Sequence, residues 1–328
     1  MIMEYRYLGK TGLQVSPICL GTAFRGAIDE HAGIRVIETA LDLGCNFIDS
    51  AFYGEGRSEK IIGKALKGRR EHVVLCTKIF GTSGKGPNFT GLSRFNLMQG
   101  VEKSLKRLQT DYIDLYLAHS FDPVTPLEET LSTFDDLVRQ GKVRYIGCSN
   151  WPVYKVVDAL WTSDRRNLEP FVCLQYNYSL LARWETELEL MPMARDHGLG
   201  LMCYSPLAIG LLTGQFRRGA VPPENSPWGK NPRPGLSRSK YPFDEAMTDK
   251  LDGIVQTLID VGEKYGKTPA QVALAWLLDH EEVTAPIIGP DFPEQVEESF
   301  GAVGWTLEPE DRTLLDEVSA PDLPGKYA

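Results

Sequence analysis

The sequence predicts a closed (β/α)8 barrel of the TIM type, with an N-terminal β-hairpin in front of it and a long loop after its seventh strand. Two observations carry that expectation. Eight short apolar runs alternate with longer amphipathic stretches, and no break in composition divides the 328 residues. Strands that alternate with helices form parallel β/α units. Eight such units in one uninterrupted chain favour a single barrel over a doubly wound sheet with a second domain, so residues 1–328 are taken as one domain.

The elements follow in order. EYRYLGKTGLQVS has two short runs around a Gly-Lys-Thr-Gly turn and reads as a hairpin that plugs the bottom of the barrel. The eight strand runs are ICLG (18–21), NFIDS (46–50), VVLCTKI (73–79), YIDLYLAH (112–119), VRYIGCS (143–149), FVCLQY (171–176), LGLMCYS (199–205) and APIIG (285–289). Between them apolar residues recur at helical spacing, as in Ile34, Ile37 and Leu41, or Val101, Leu105 and Leu108. Two helix starts are marked by their chemistry. Thr125-Pro126-Leu127-Glu128 and Thr268-Pro269-Ala270-Gln271 each offer an N-cap hydroxyl, a proline at the first helical position and a capping-box partner. Residues 210–247 interrupt the pattern with a proline-rich insertion, read as a surface loop. It holds Arg217, Arg218, Lys230, Arg233, Arg238 and Lys240 against one acidic residue, Glu224, between 217 and 240. Such a basic loop at a barrel mouth is a candidate anion contact.

Composition narrows the function. A net charge of −9 argues against nonspecific nucleic-acid binding and against an anionic membrane surface, which leaves small-molecule chemistry. Nowhere do about 18 apolar residues run together, and the start, MIMEYRYLGKTGLQV, has no apolar segment behind a basic one. A cytoplasmic protein without membrane association is expected. Cys19, Cys45, Cys76, Cys148, Cys173 and Cys203 stand singly in or beside strand runs, without metal-ligand spacing, and read as buried free thiols. No metal site is expected.

In a barrel, side chains at strand ends converge on one mouth whatever their separation in sequence. Asp49 ends the second run, Lys78 the third and His119 the fourth, while Tyr53 follows on the second loop. Each has an ordinary structural role by itself: a helix cap, a solvated strand end, a satisfied buried histidine. Together they are a poor stability device, because burying charge costs several kcal/mol unless the pairing is good. They suit proton transfer. A lysine against the Tyr53 hydroxyl favours the phenolate and lowers a pKa that starts near ~10, while Asp49 balances the lysine.

This set, in DSAFYGEGRSE, VVLCTKI and DYIDLYLAHSFDP, is followed by IGCSNW, QYNYSLLAR, YSPLAIGLLTG and PIIGPDFPEQVEES. The whole chain thereby resembles the aldo-keto reductase family. The resemblance implies a nicotinamide cofactor across the barrel mouth, reduction of aldehydes or ketones to alcohols, and a catalytic tetrad of Asp49, Tyr53, Lys78 and His119. It further implies that Ser149, Asn150 and Gln175 hold the nicotinamide carboxamide and that Tyr204 stacks on the ring. Ser205, Leu207, Gly210 and Leu211 match pyrophosphate contacts, Gln215 stands where relatives carry a lysine, and Gly289, Asp291, Gln295 and Glu298 match the adenosine end. Phe24, Phe52, Phe80, Phe121 and Trp151 are expected to wall the substrate pocket with apolar surface.

Three departures bear on these expectations. Asp49 and Tyr53 are four apart, one less than the resemblance implies, which calls for a tighter loop. Asp291 stands where a basic or hydroxyl residue meets the 2′-phosphate of NADP in many relatives, and Ser299 replaces an asparagine. A carboxylate repels that phosphate and can bond a free ribose 2′-hydroxyl. Asp291 and Gln215 therefore favour NAD(H), the basic loop and the family's habit favour NADP(H), and NADP(H) is placed narrowly ahead. Two other functions remain open. GLSR (91–94) and the long insertion also resemble potassium-channel β subunits, cytoplasmic partners of a membrane protein, although those commonly lack the histidine found here as His119. A barrel aldolase with Lys78 as its Schiff-base residue is the third.

Overall fold

The structure is a computed structural model, and it describes residues 3–24, 29–81, 84–224, 226–229 and 242–321. Strands β1 (Arg6–Tyr7) and β2 (Gln14–Val15) form the antiparallel hairpin. The next eight strands are β3 (Cys19–Gly21), β4 (Phe47–Asp49), β5 (Val74–Ile79), β6 (Ile113–Ala118), β7 (Val143–Ser149), β8 (Phe171–Asn177), β9 (Gly200–Tyr204) and β10 (Val283–Ile288). All pair in parallel with their neighbours, and β10 returns to β3 to close the barrel. Each observed strand overlaps one apolar run of the sequence.

The hairpin covers the amino-terminal end of the barrel. Arg6 donates to the carbonyls of Val283 and Leu278, and the Lys10 amide donates to Gly198 at the foot of β9. Leu8 and Val15 lie fully buried against the lowest layer of the barrel interior. Gly9 has φ +54°, and a Cβ there would meet the Gly198 carbonyl at 2.5 Å, so this close approach requires glycine.

Helices α1 (Glu30–Asp42), α2 (Arg57–Ala65), α3 (Arg94–Leu108), α4 (Leu127–Arg139), α5 (Val153–Arg166) and α6 (Met191–His197) follow β3 to β8 in turn. After β9 come the insertion, a short α7 (Phe243–Ala246), α8 (Asp249–Tyr265) and α9 (Pro269–Leu278), and after β10 come α10 (Pro293–Phe300) and α11 (Pro309–Val318). The two capping boxes differ in outcome. At α9 the box forms: Thr268 Oγ1 accepts from the Gln271 amide and Gln271 Oε1 accepts from the Thr268 amide. At α4 it does not, because the Thr125 hydroxyl donates to the Asp122 carboxylate at 2.7 Å and the helix starts after Pro126. Pro126 takes the cap position, which leaves Thr125 one residue outside it, and Asp122 also accepts from the Val124 and Thr125 amides in the turn before the helix.

Alternation along the strands decides which residues face the barrel axis. Cys19, Phe47, Val74, Cys76, Leu115, Leu117, Cys173, Met202, Ala285 and Ile287 form one inner cluster. The other alternate residues pack outward against the helices. Two steps up each strand from the inner cluster stand Asp49, Lys78, His119, Gln175 and Tyr204. Parity alone therefore delivers the polar residues to one layer at the carboxyl ends. The six cysteines are free and buried, as expected.

Candidate active site

The centre of that layer is a buried ion pair. Lys78 Nζ lies 2.6 and 2.7 Å from the two Asp49 oxygens and donates to the Ser50 carbonyl at 2.7 Å. Both side chains are almost wholly buried. Burial opposes the Lys78 charge, but the Asp49 carboxylate outweighs it and the Lys78 pKa rises above its ordinary value. Asp49 is held further by Gln175, whose Nε2 donates to Asp49 Oδ1 at 2.9 Å.

Tyr53 and His119 stand over this pair. Lys78 Nζ lies 5.8 Å from the centroid of the Tyr53 ring, and the Tyr53 and His119 rings meet edge to face at 6.2 Å. The four tetrad candidates are thus brought together although one loop residue is missing. The tighter path is visible in the backbone: Tyr53 N–H donates to the Ala51 carbonyl, and the Tyr53 carbonyl accepts from the Gly56 amide. Ser50 and Ser58 oxygens, 2.8 Å apart, join the loop at its base. Burial, and then the positive charge of Lys78, push the His119 pKa down to about 4, with Asp49 opposing. His119 is neutral at physiological pH, able to donate one hydrogen bond and accept another.

On the far side of the mouth Ser149 donates to the Gln175 carbonyl at 2.8 Å and Asn150 Nδ2 donates to Ser149 Oγ at 3.0 Å. The Tyr204 hydroxyl donates to Asn150 Oδ1 at 2.9 Å. These four residues are therefore linked, Gln175 through its backbone carbonyl, and the Gln175 side chain reaches Asp49.

Backbone strain gathers at this end of the barrel. Among the described residues, eight non-glycine residues have positive φ; Gln109 and Asn167 cap helices, and the other six, Phe24, Glu55, Asn150, Ser205, Ala208 and Ile209, lie on loops after strands. Such conformations cost on the order of 1 kcal/mol each and persist where the surroundings hold them. Ser205, Ala208, Ile209 and Gly210 fold the loop after β9 into a tight curl. Leu207 is half-buried and Leu211 buried beneath it. Trp228, from the insertion, donates to the Ile209 carbonyl at 3.1 Å and so ties the insertion to that curl.

Several sequence expectations change. Of the six basic residues of the insertion, Arg217 makes a bidentate pair with Asp252 and Arg218 pairs with Asp249, both on α8, so these two fold back rather than face the mouth. Lys230, Arg233, Arg238 and Lys240 lie outside the described residues. Three of the five aromatic wall candidates have side-chain neighbours in the helices or among one another. Trp151 is 3% exposed and packs edge to face on Phe171 at 5.3 Å and on Phe121 at 5.2 Å. Phe24 is buried near Gly33 of α1, and Phe52 lies under Arg107 of α3. Past a strand end the alternation lapses, and positive φ at Phe24 and Asn150 redirects the chain. Phe80 and Phe121 remain half-buried after β5 and β6.

At the adenosine candidates, Gly289 follows β10 in open space. Gln295 Oε1 accepts from the amides of Asp291 and Phe292 and so caps its own helix, while the Glu298 carbonyl accepts from Gln271. Gln215 is exposed, its amide bonded to Thr213. Sequence reasoning missed Glu59, Thr77 and Arg107, which form a polar group against the loop of Tyr53. Alternation could have signalled Thr77, which faces outward beside inward Lys78.

Comparison with known proteins agrees with this fold. The sequence profile of the aldo/keto reductase family matches residues 17–320. The chain is 40% identical over 329 residues, 96% of each chain, to a Bacillus subtilis protein named uncharacterized oxidoreductase YrpG. It is 35% identical over 307 residues, 92% of this chain and 91% of the other, to a probable voltage-gated potassium channel subunit beta of Arabidopsis thaliana. A putative subunit of the same kind from Schizosaccharomyces pombe is 35% identical over 326 residues, 96% of this chain and 93% of the other. With a closed parallel barrel, a charged pair at its mouth and a family profile spanning nearly all its length, the chain belongs to the aldo/keto reductase family and is an oxidoreductase.

Proposed function

We propose that this oxidoreductase reduces aldehydes or ketones to alcohols, reversibly, with Tyr53 as the proton donor. The observation that carries the reading is the Lys78–Asp49 pair, buried within reach of Tyr53 and His119. When bound, NADPH or NADH supplies the hydride. The carbonyl oxygen then gains negative charge, which the site must stabilise and protonate. Tyr53 donates the proton, the Lys78 charge favours the phenolate that remains, and neutral His119 orients the oxygen by a hydrogen bond. Asp49 keeps Lys78 charged and fixed.

The donor set suits a dinucleotide. Gln175 gives its N–H to Asp49 and retains Oε1 as an acceptor, Asn150 and Ser149 provide an amide and a hydroxyl, and Tyr204 offers a half-buried ring. The curl at 205–210 gathers left-handed residues of the kind that form anion-binding concavities. The cations that favoured NADP(H) are reduced by the pairing of Arg217 and Arg218 with α8. The remaining half-buried rings, Phe80 and Phe121, suit an apolar or aromatic carbonyl compound. Six buried free thiols fit a reducing, cytoplasmic setting.

The relatives named as channel subunits support a second reading, a cytoplasmic partner role, but His119 and the intact pair favour catalysis. The aldolase reading is opposed by the lysine itself. A Schiff-base lysine must lose its proton, whereas Lys78 has an acceptor for each of its three N–H bonds and an elevated pKa. Titration with NADPH and with NADH by tryptophan fluorescence, followed by reduction of a panel of aldehydes and ketones, tests the proposal. Failure to bind either cofactor would sink it.

A further inference from the structure

Tyr53 rides on a loop whose crest is touched by a residue more than fifty positions away. The Arg107 guanidinium lies 4.8 Å from the centre of the Phe52 ring. Its stem passes so close to Gly56 that a Cβ there would collide with Arg107 Cδ, and Gly56 itself has φ +84°. Phe52 precedes Tyr53 and Gly56 follows it by three, so a single side chain clasps the loop on both sides of the tyrosine.

Arg107 is held in turn. Its Nε donates to Glu59 Oε2 at 2.5 Å and one terminal nitrogen donates to Ser104 Oγ at 3.1 Å. Glu59 is fully buried, and its other oxygen accepts from Thr77 Oγ1 at 2.8 Å. Thr77 is the residue before Lys78 on β5. One buried carboxylate therefore connects the loop of Tyr53 to the strand of Lys78 on the outer side of the barrel. A buried ion pair is a weak source of net stability, and apolar residues of the same volume do as well. What it adds is direction, since the planar guanidinium holds Glu59 through Nε and Ser104 through a terminal nitrogen at fixed angles.

We propose that Arg107 is a positioning residue for Tyr53: through Glu59 and Thr77 it locks loop 50–57 to β5 and sets the separation of Tyr53 from Lys78. The proposal rests on the reductase reading above. The loop has one residue fewer between Asp49 and Tyr53 than the family resemblance implies, and the clamp is the outside support that holds the shortened loop in register. Small displacements of a reacting group cost large factors in rate, which makes such support visible in kinetics.

The experiment compares wild type, Arg107→Met, Arg107→Lys, Tyr53→Phe and the double variant Tyr53→Phe/Arg107→Met, with 4-nitrobenzaldehyde as probe substrate and fluorescence titration of NADPH and NADH. Arg107→Met lowers kcat by ~10-fold or more while KM and cofactor affinity change by less than ~2-fold. Arg107→Lys keeps the charge on Glu59 without the planar fork and recovers part of the rate. In the Tyr53→Phe background Arg107→Met lowers the residual rate by less than ~2-fold, because a residue acting through Tyr53 has nothing left to position. Equal factors in both backgrounds, or a loss confined to KM, cofactor affinity or thermal stability, overturn the proposal. If Arg107→Met does not fold, Phe52→Leu removes the ring beneath the guanidinium, leaves the Glu59 pair, and is held to the same two criteria. A slow Tyr53→Phe beside a fully active Arg107→Met sinks the clamp alone, whereas a fully active Tyr53→Phe sinks the reductase mechanism and the clamp together.

Discussion

Lys78 Nζ makes three hydrogen bonds, two to Asp49 and one to the Ser50 carbonyl, so the lysine fixes both the carboxylate and the first residue of the loop that carries Tyr53. The pair is buried, and each charge is stabilised chiefly by the other. Removing one partner strands the second.

Lys78→Met is therefore expected to lose stability by ~3–5 kcal/mol, the usual cost of leaving a buried charge unpaired, and to lose carbonyl reduction. Adding Asp49→Leu should restore part of the stability without restoring activity. Chemical denaturation and steady-state assays separate the two effects, and wild-type protein treated with substrate and borohydride should gain no covalent mass at Lys78. A trapped adduct there would transfer the protein to the lyases.

Tyr53→Phe is expected to leave the affinity for cofactor nearly intact and to lower reduction by ~100-fold or more, the scale of general acid catalysis. The measurement is kcat together with fluorescence titration of both cofactors. An unchanged kcat removes Tyr53 from the chemistry.

His119 ties stability to pH. Its pKa falls from 6.5 toward about 4 in the folded protein, so the fold prefers the neutral ring. That contribution is fully present above pH 6.5 and is lost as pH falls through the window from 6.5 to 4, amounting to about 3 kcal/mol. His119→Asn cannot take up a proton, and its stability should fall less steeply over that window than wild type. Parallel slopes in urea titrations would show that His119 is not the group responsible.

Cofactor choice is expected to depend on Asp291 rather than on Arg217. Asp291→Ser removes a carboxylate that opposes a 2′-phosphate and should tighten NADPH by roughly fivefold, about 1 kcal/mol, with little change for NADH. Arg217→Ala breaks a pair with Asp252 on α8 and should leave the ratio of the two affinities unaltered. Equal responses of both cofactors to Asp291→Ser would remove that residue from the ribose.

Strand count, strand order and the convergence of Asp49, Lys78 and His119 were legible in the sequence because they follow from local pattern. Short continuous apolar runs between amphipathic stretches specify buried parallel strands, and alternation places every second residue on the axis wherever the strand stays regular. Thr268 and Gln271 declared their helix start for the same reason, since both partners of that cap lie within one turn. The neighbours of Trp151, Phe24 and Phe52 were not legible because these residues stand past strand ends, where the strand alternation lapses and the loop path sets which way a ring turns. Thr125 stands one residue ahead of the α4 cap and bonds Asp122, and Arg217 pairs with Asp252, partners that local spacing does not rank. The linkage of Arg107 through Glu59 to Thr77 spans three elements and was invisible until they packed. Sequence by itself determined which residues stand on the axis and at what height, because backbone geometry sets both. Only tertiary structure decided what each of them touches, because a hydrogen bond or ion pair is chosen by which chemically suitable group arrives closest in space.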